Sequence, residues 1–184
     1  RKEDPWDYTQ SPFEREKYQK TLHAIPPEVE SILEVGSSEG VFTELLLQTG
    51  KKVVGIDVSE TALQRAQTRL QKYTGQFELR KFNIVKDNGL EGKFDLILAS
   101  EILYYLGDKN ILLSLEEKFC TLLKENGYLL LVHFYPSGKI IHDTFLERKH
   151  FKRVWEEITH HPERDYIITL LRKINSGSSS ASSS

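Results

Sequence analysis

The sequence predicts an α/β fold: a mostly parallel seven-stranded sheet closed by an antiparallel C-terminal hairpin. Three observations carry that expectation. From Ser31 to Leu131, short apolar runs alternate with longer amphipathic stretches, the pattern of repeated strand–helix–strand units. Leu96-Ile97-Leu98-Ala99 and Leu129-Leu130-Leu131-Val132 are apolar at every position, as parallel strands covered on both faces require. After Pro136 the alternation stops, and two strand-like runs meet across His161-Pro162-Glu163-Arg164.

Taken in order, residues 1–27 form an N-terminal arm carrying Trp6, Tyr8, Phe13 and Tyr18. Ser11-Pro12-Phe13-Glu14 reads as a capping box with Pro at the first helical position, so a helix starts there. It runs to about Leu22, and Pro26-Pro27 ends it. Strands are expected at 31–35, 52–56, 77–82, 94–99 and 127–134, and helices at 39–49, 60–73 and 109–124. A short helix is expected at 143–149, then strands at 151–158 and 165–172. Residues 175–184 are Ser-rich and low in complexity, and are expected to be a disordered or added tail without function. The ligand-binding domain therefore spans 28–174.

At 184 residues, one domain with a real core is the economical reading. Hydrophobic residues make up 39% and charged residues 28%, ordinary for a globular protein. The net charge of −2 and the absence of a dense basic stripe argue against a nucleic-acid partner. No apolar run reaches membrane-spanning length and no signal-peptide pattern opens the chain, so a cytoplasmic protein without membrane attachment is expected. Cys120 is the single cysteine and has no internal disulfide partner; it falls on an apolar helical face, where a core role is expected. The chain contains no Met, which suggests processing or alteration of the sequence.

The chemistry concentrates in Ile32-Leu33-Glu34-Val35-Gly36-Ser37-Ser38-Glu39-Gly40 and in Val53-Val54-Gly55-Ile56-Asp57. These read as a strand, a small-residue turn opening a helix, and a second strand ending in an acid. Gly36 lets the backbone turn sharply against a ligand, and Gly40 lets the helix pack close by. Asp57, at the carboxyl end of its strand, is placed to accept from both ribose hydroxyls. The dinucleotide pattern G-x-G-x-x-G is absent, and Glu39 sets a negative charge where a pyrophosphate would sit. No G-K-S/T follows, which excludes a P-loop. An adenosine ligand without phosphate fits, with S-adenosyl-L-methionine (SAM) the obvious one. A dehydrogenase is disfavoured, and the plain alternative is an ordinary glycine-rich strand–helix turn.

Over about residues 30–135 the chain resembles the class I SAM-dependent methyltransferases. Their first motif, an acid followed by x-G-x-G-x-G, is matched by Glu34, Gly36 and Gly40, with Ser38 replacing the middle glycine. Gly55-Ile56-Asp57-Val58-Ser59, Phe94-Asp95-Leu96-Ile97-Leu98-Ala99-Ser100-Glu101 and Leu122-Leu123-Lys124-Glu125-Asn126-Gly127-Tyr128-Leu129 resemble the later motifs, in order and at the right spacing. The resemblance implies a Rossmann-like fold that binds SAM and releases S-adenosyl-L-homocysteine. It implies a cofactor site of Glu34, Gly36, Ser37, Ser38, Gly40, Asp57, Val58, Asn83, Ile84 and Ser100. Asn83 stands where the family often has an Asp facing the adenine amino group; its side-chain oxygen still accepts, without charge. Asp4-Pro5-Trp6-Asp7-Tyr8, Phe13-Glu14-Arg15-Glu16-Lys17-Tyr18, Ser100-Glu101-Ile102-Leu103-Tyr104-Tyr105-Leu106 and Leu131-Val132-His133-Phe134 resemble the nodulation protein S-type methyltransferases more closely. That family implies N-methylation of the free amine of a deacetylated chitooligosaccharide.

Methyl transfer is an in-line displacement in which positioning dominates, with a base where the acceptor must lose a proton. Glu101 and His133 fall at the carboxyl ends of the fourth and fifth strands, beside the crevice where such folds bind ligands. Glu101 is expected to orient or deprotonate the acceptor, and His133 is the second candidate base, because histidine titrates near neutral pH. Their alternatives are a helix-capping acid and a satisfied strand-end histidine. Tyr8, Tyr104 and Tyr105 are expected to line the acceptor site. Trp6, Tyr8 and Tyr18 suit a lid that excludes water, or a simple anchor for the arm. His160-His161 lacks companion ligands and His23, His142 and His150 stand alone, so no metal site is expected. A D/N-P-P-Y/F motif is missing after the fourth strand, which counts against adenine or glutamine as acceptor. The expected acceptor is a small molecule or oligosaccharide bearing an amine. Natural-product O-methylation and a non-catalytic SAM-binding module are the alternatives.

Overall fold

The computed structural model describes residues 11–174. The expectations for Trp6, Tyr8 and the Ser-rich tail lie outside the described residues. In chain order the elements are α1 (Pro12–His23), β1 (Ser31–Val35), α2 (Val41–Gln48), β2 (Lys52–Asp57), α3 (Glu60–Leu70), β3 (Phe77–Lys81) and β4 (Phe94–Ser100). Then follow α4 (Lys109–Leu122), β5 (Leu123–Phe134), α5 (Ser137–Thr144), β6 (Phe151–Thr159) and β7 (Tyr166–Lys173). Short 3-10 turns sit at Gln71–Tyr73 and Leu103–Tyr105.

The strands make one sheet of seven in the order β3-β2-β1-β4-β5-β7-β6. β1 to β5 run parallel, and β7 is antiparallel to both β5 and β6. The order reverses between β1 and β4, so the crevice outside their carboxyl ends is where such a sheet binds ligands. Side chains alternate across the strands. Val35, Ile97, Ala99 and Leu131 pack with Leu112 and Phe119 of α4, while Ile32, Leu96, Leu98 and Val132 pack on the other side with Phe42 and Leu46 of α2.

The helix starts follow local chemistry. Ser11 Oγ accepts from the Glu14 N–H at 3.3 Å, with Pro12 in the first turn. The reciprocal half of that capping box is replaced: the Glu14 carboxylate turns to Lys17 Nζ at 3.1 Å. Ser59 caps α3 through Ala62 N–H, and Asp108 caps α4 through the Asn110 and Ile111 N–H groups.

Two boundaries differ from the sequence reading. β5 starts at Leu123, directly after α4, and pairs Phe94 with Leu123 before its register shifts to pair Leu96 with Tyr128. The turn expected around Asn126 is therefore an irregularity inside the strand, where Asn126 has φ 61°. The helix expected at 143–149 lies instead at Ser137–Thr144. Ser137 and Gly138 read locally as loop, but Gly138 lets α5 approach β5: a Cβ there would lie 2.7 Å from His133 Cβ and 2.9 Å from Ile167 Cγ2. Gly138→Ala is therefore expected to cost about 1–3 kcal/mol of stability through overpacking. Urea denaturation measures it, and an unchanged midpoint would show that α5 yields freely.

Candidate active site

The turn after β1 is built from backbone conformations that need small residues. Gly36, Ser38 and Gly40 have φ of 79°, 49° and 76°. A Cβ on Gly36 would lie 3.1 Å from Ile102 Cγ1, so the turn and the loop after β4 are in close contact. The Gly36 and Ser37 N–H groups donate to the Ile56 carbonyl at 2.8 and 3.1 Å, tying the turn to β2. Asp57 braces it: Oδ2 accepts from Ser38 N–H at 3.0 Å and Oδ1 from Ser59 N–H at 2.8 Å.

Glu34 is buried at the end of β1, where its Oε2 accepts from Thr43 Oγ1 at 2.5 Å. Burial, with a smaller push from Asp57, raises its pKa from 4.5 to about 7 against the opposing Thr43 bond. The native state therefore keeps this proton over a range where the unfolded chain releases it. Stability accordingly falls as pH rises from 4.5 to about 7, by up to about 3 kcal/mol. Glu34→Gln is expected to be the more stable form at pH 8 and to lose that advantage near pH 4.5 in urea denaturation. An advantage independent of pH would mean that Glu34 is already ionised in the native protein at pH 5.

A cavity of about 770 Å³ opens beside this turn, within the size range of small-molecule sites. Glu34, Gly36, Ser37, Ser38 and Glu39 form one wall and Ser100 and Glu101 another. Glu14, Lys17 and Tyr18 of α1 and Arg164 of the β6–β7 loop complete it. Glu39 does not present a free charge there, because it pairs with Arg65 of α3. The charge expected of Glu39 is therefore neutralised by Arg65, and Asp57 stands behind the turn, outside the cavity wall.

Glu101 has φ 54°, and one carboxylate oxygen lies 3.4 Å from Lys17 Nζ. Desolvation raises its pKa, opposed by the Lys17 charge and the Tyr104 hydroxyl. Lys17 is only 2% exposed, held between Glu14 and Glu101 and over the rings of Phe13 and Phe134, 5.1 and 5.2 Å from their centroids. The Arg164 guanidinium carbon stands 4.1 Å from the Phe134 ring centre.

Other expected residues fall elsewhere. His133 is fully buried and absent from the cavity wall. Its Nε2 accepts from Leu103 N–H at 3.2 Å and its Nδ1 meets His142 Nε2 at 2.9 Å. Burial, His142 and Lys17 hold its pKa well below 6.5, so the expectation of a neutral-pH base facing an acceptor is corrected. Tyr104 is half-buried behind Glu101, its hydroxyl accepting from Phe134 N–H, whereas Tyr105 is 80% exposed at the cavity rim. Asn83 Oδ1 accepts from the Val85 and Lys86 N–H groups at 3.0 and 3.1 Å, so it caps its own turn. Ile84 is core, and Val58 is 59% exposed beyond the cavity wall. Among the described residues, no cluster of His, Cys, Asp and Glu is arranged to hold a metal. No helix among them is long and apolar enough to cross a membrane.

Sequence reasoning missed Lys17, Glu14 and Arg164 as site residues. Glu14 and Lys17 are visible in the sequence only as members of the Phe13–Tyr18 run that carries the family resemblance, with Glu14 also a capping residue. Nothing local marks a lysine for burial.

The fold and this crevice define a Rossmann-like methyltransferase architecture. The crystal structure of the N-methyltransferase NodS from Bradyrhizobium japonicum with S-adenosyl-L-homocysteine superposes with a TM-score of 0.83 at 23% identity, covering 95% of this chain and 94% of that one. The chain belongs to the Nodulation protein S (NodS) family, whose model it matches over residues 1–181. It is 31% identical over 112 residues to Nodulation protein S of Bradyrhizobium diazoefficiens, covering 58% of this chain and 51% of that protein. It is 34% identical over 108 residues to the Rhizobium tropici protein of the same name, covering 58% and 44%. The chain thus spans about half the length of these relatives.

Proposed function

We propose that this chain is a SAM-dependent N-methyltransferase whose acceptor is the amine of a sugar or oligosaccharide. The observation that carries the reading is one cavity with the braced Glu34–Ser38 turn on one wall and Glu101 on the other. The residues present fit the cofactor. Glu34 is a buried carboxylate on the cavity wall without a cationic partner among the described residues, which suits an ammonium group. Asp57 retains acceptor capacity for ribose hydroxyls beyond its two amide bonds. Ser37, Ser38 and Ser100 supply polar groups between them. SAM supplies the electrophilic methyl group.

Everything else falls to the protein. Glu101, made more basic by desolvation, takes a proton from the acceptor nitrogen and orients its lone pair. The Lys17 charge and the Tyr104 hydroxyl oppose that rise by favouring the carboxylate. α1, with the Tyr18 ring tilted against Phe42 at 5.0 Å between centroids, walls one side of the cavity. His133 is not a base in this scheme.

Calorimetry with SAM and with NAD, followed by methyl-transfer assays on deacetylated chitooligosaccharides and hydroxyl acceptors, tests the reading. Micromolar or tighter binding of SAM, no binding of NAD and methylation at nitrogen are expected. Binding of NAD without SAM would refute it, and transfer only to oxygen would replace the acceptor class.

A further inference from the structure

We propose that His133, His142 and Thr169 are positioning residues: their buried hydrogen-bond chain holds, from behind, the loop that carries Glu101 and Tyr104. The inference rests on the methyltransferase reading for its functional consequence, but its geometry stands independently. The chain has one consistent direction. Leu103 N–H donates to His133 Nε2 at 3.2 Å, which leaves the ring proton on Nδ1. His133 Nδ1–H donates to His142 Nε2 at 2.9 Å, and His142 Nδ1–H donates to Thr169 Oγ1 at 2.7 Å. The Thr169 hydroxyl donates to Glu156 Oε2 at 3.0 Å. Glu156 meets Arg153 Nε at 3.1 Å and Lys139 Nζ at 3.6 Å, so the chain ends in an ion-paired cluster.

Each ring nitrogen in this path has one donor or acceptor task, the Thr169 hydroxyl accepts one bond and donates another, and His133, His142 and Thr169 are fully buried. Burial also lowers the pKa of both rings, keeping them neutral, as a one-way chain requires. The loop has reason to need such a hold. Glu101 adopts φ 54°, a conformation that costs a non-glycine residue free energy unless its surroundings impose it. Leu103 is fully buried, and without His133 its N–H would be left unpaired. The Tyr104 ring rests edge-on against His133 at 4.9 Å between centroids. Glu101 is thus set between Lys17 in front and the histidine chain behind.

The test uses the full chain. Heteronuclear NMR of the wild type is expected to show both imidazoles as Nδ1–H tautomers. Thr169→Val and His142→Phe are expected to shift the Leu103 amide resonance and raise the acceptor KM. They are expected to lower kcat about tenfold through misplacement of Glu101, with SAM affinity within twofold of wild type. His142→Gln, whose Oε1 can accept from His133, is expected to recover part of the loss. An Nε2–H tautomer on either ring overturns the proposal. So does a folded Thr169→Val protein with wild-type kcat, KM and Leu103 resonance. If the wild type methylates no acceptor, the methyltransferase reading fails, while the tautomers and the Leu103 resonance still decide whether the chain holds the loop.

Discussion

Asp57→Ala is expected to weaken SAM binding by about a hundredfold, measured by calorimetry. The carboxylate accepts from Ser38 and Ser59 N–H groups, and under the proposed function it also accepts from the ribose. Hydrogen bonds to charged groups contribute about 1.5–3 kcal/mol each. Ser38 sits at φ 49° without glycine's freedom, so releasing its amide lets the turn relax out of its ligand-ready shape. Losing the ribose contact and that preorganisation together amounts to about 3 kcal/mol, or two decades in Kd. Asp57→Asn keeps acceptor oxygen without charge and should fall between the two. An alanine variant that binds SAM within threefold of wild type would remove Asp57 from the cofactor site.

Glu101→Gln is expected to reduce methyl transfer by about 10²–10⁴-fold with SAM affinity unchanged. The substitution keeps size and backbone but removes the proton acceptor facing the cavity. The measured quantity is kcat in steady state beside a SAM titration. A loss confined to KM would make Glu101 a binding group only, and unchanged kinetics would end its catalytic assignment. Because Lys17 lowers the Glu101 pKa, neutralising Lys17 should move the acidic limb of the wild-type rate profile to higher pH.

Much of this architecture is legible in the chain. The continuous apolar runs of β4 and β5 and the amphipathic stretches of α3 and α4 are local signals; β4, α3 and α4 start at the expected residues, while β5 starts early at Leu123. The glycine turn and the acid ending β2 were equally readable, since a tight turn needs positive φ whatever surrounds it. The position of α5 is not legible locally, because Pro136, Ser137 and Gly138 are loop-like in isolation. Only contact with His133 and Ile167 explains a glycine in that helix. The burial of His133 is not legible either, because a strand-end histidine looks the same in sequence whether it faces a crevice or the core.

The sequence by itself determined the class of fold, the hairpin after the parallel strands, and a tight small-residue turn after β1 with an acid ending β2. Those follow from periodicity and backbone sterics, which act over a few residues. Only the tertiary structure decided which charges are buried and what each titratable group does. Lys17 meets Glu101 across 84 residues, and His142 meets Thr169 across 27. Desolvation and pairing are set by whatever the fold brings alongside, and no local pattern encodes that.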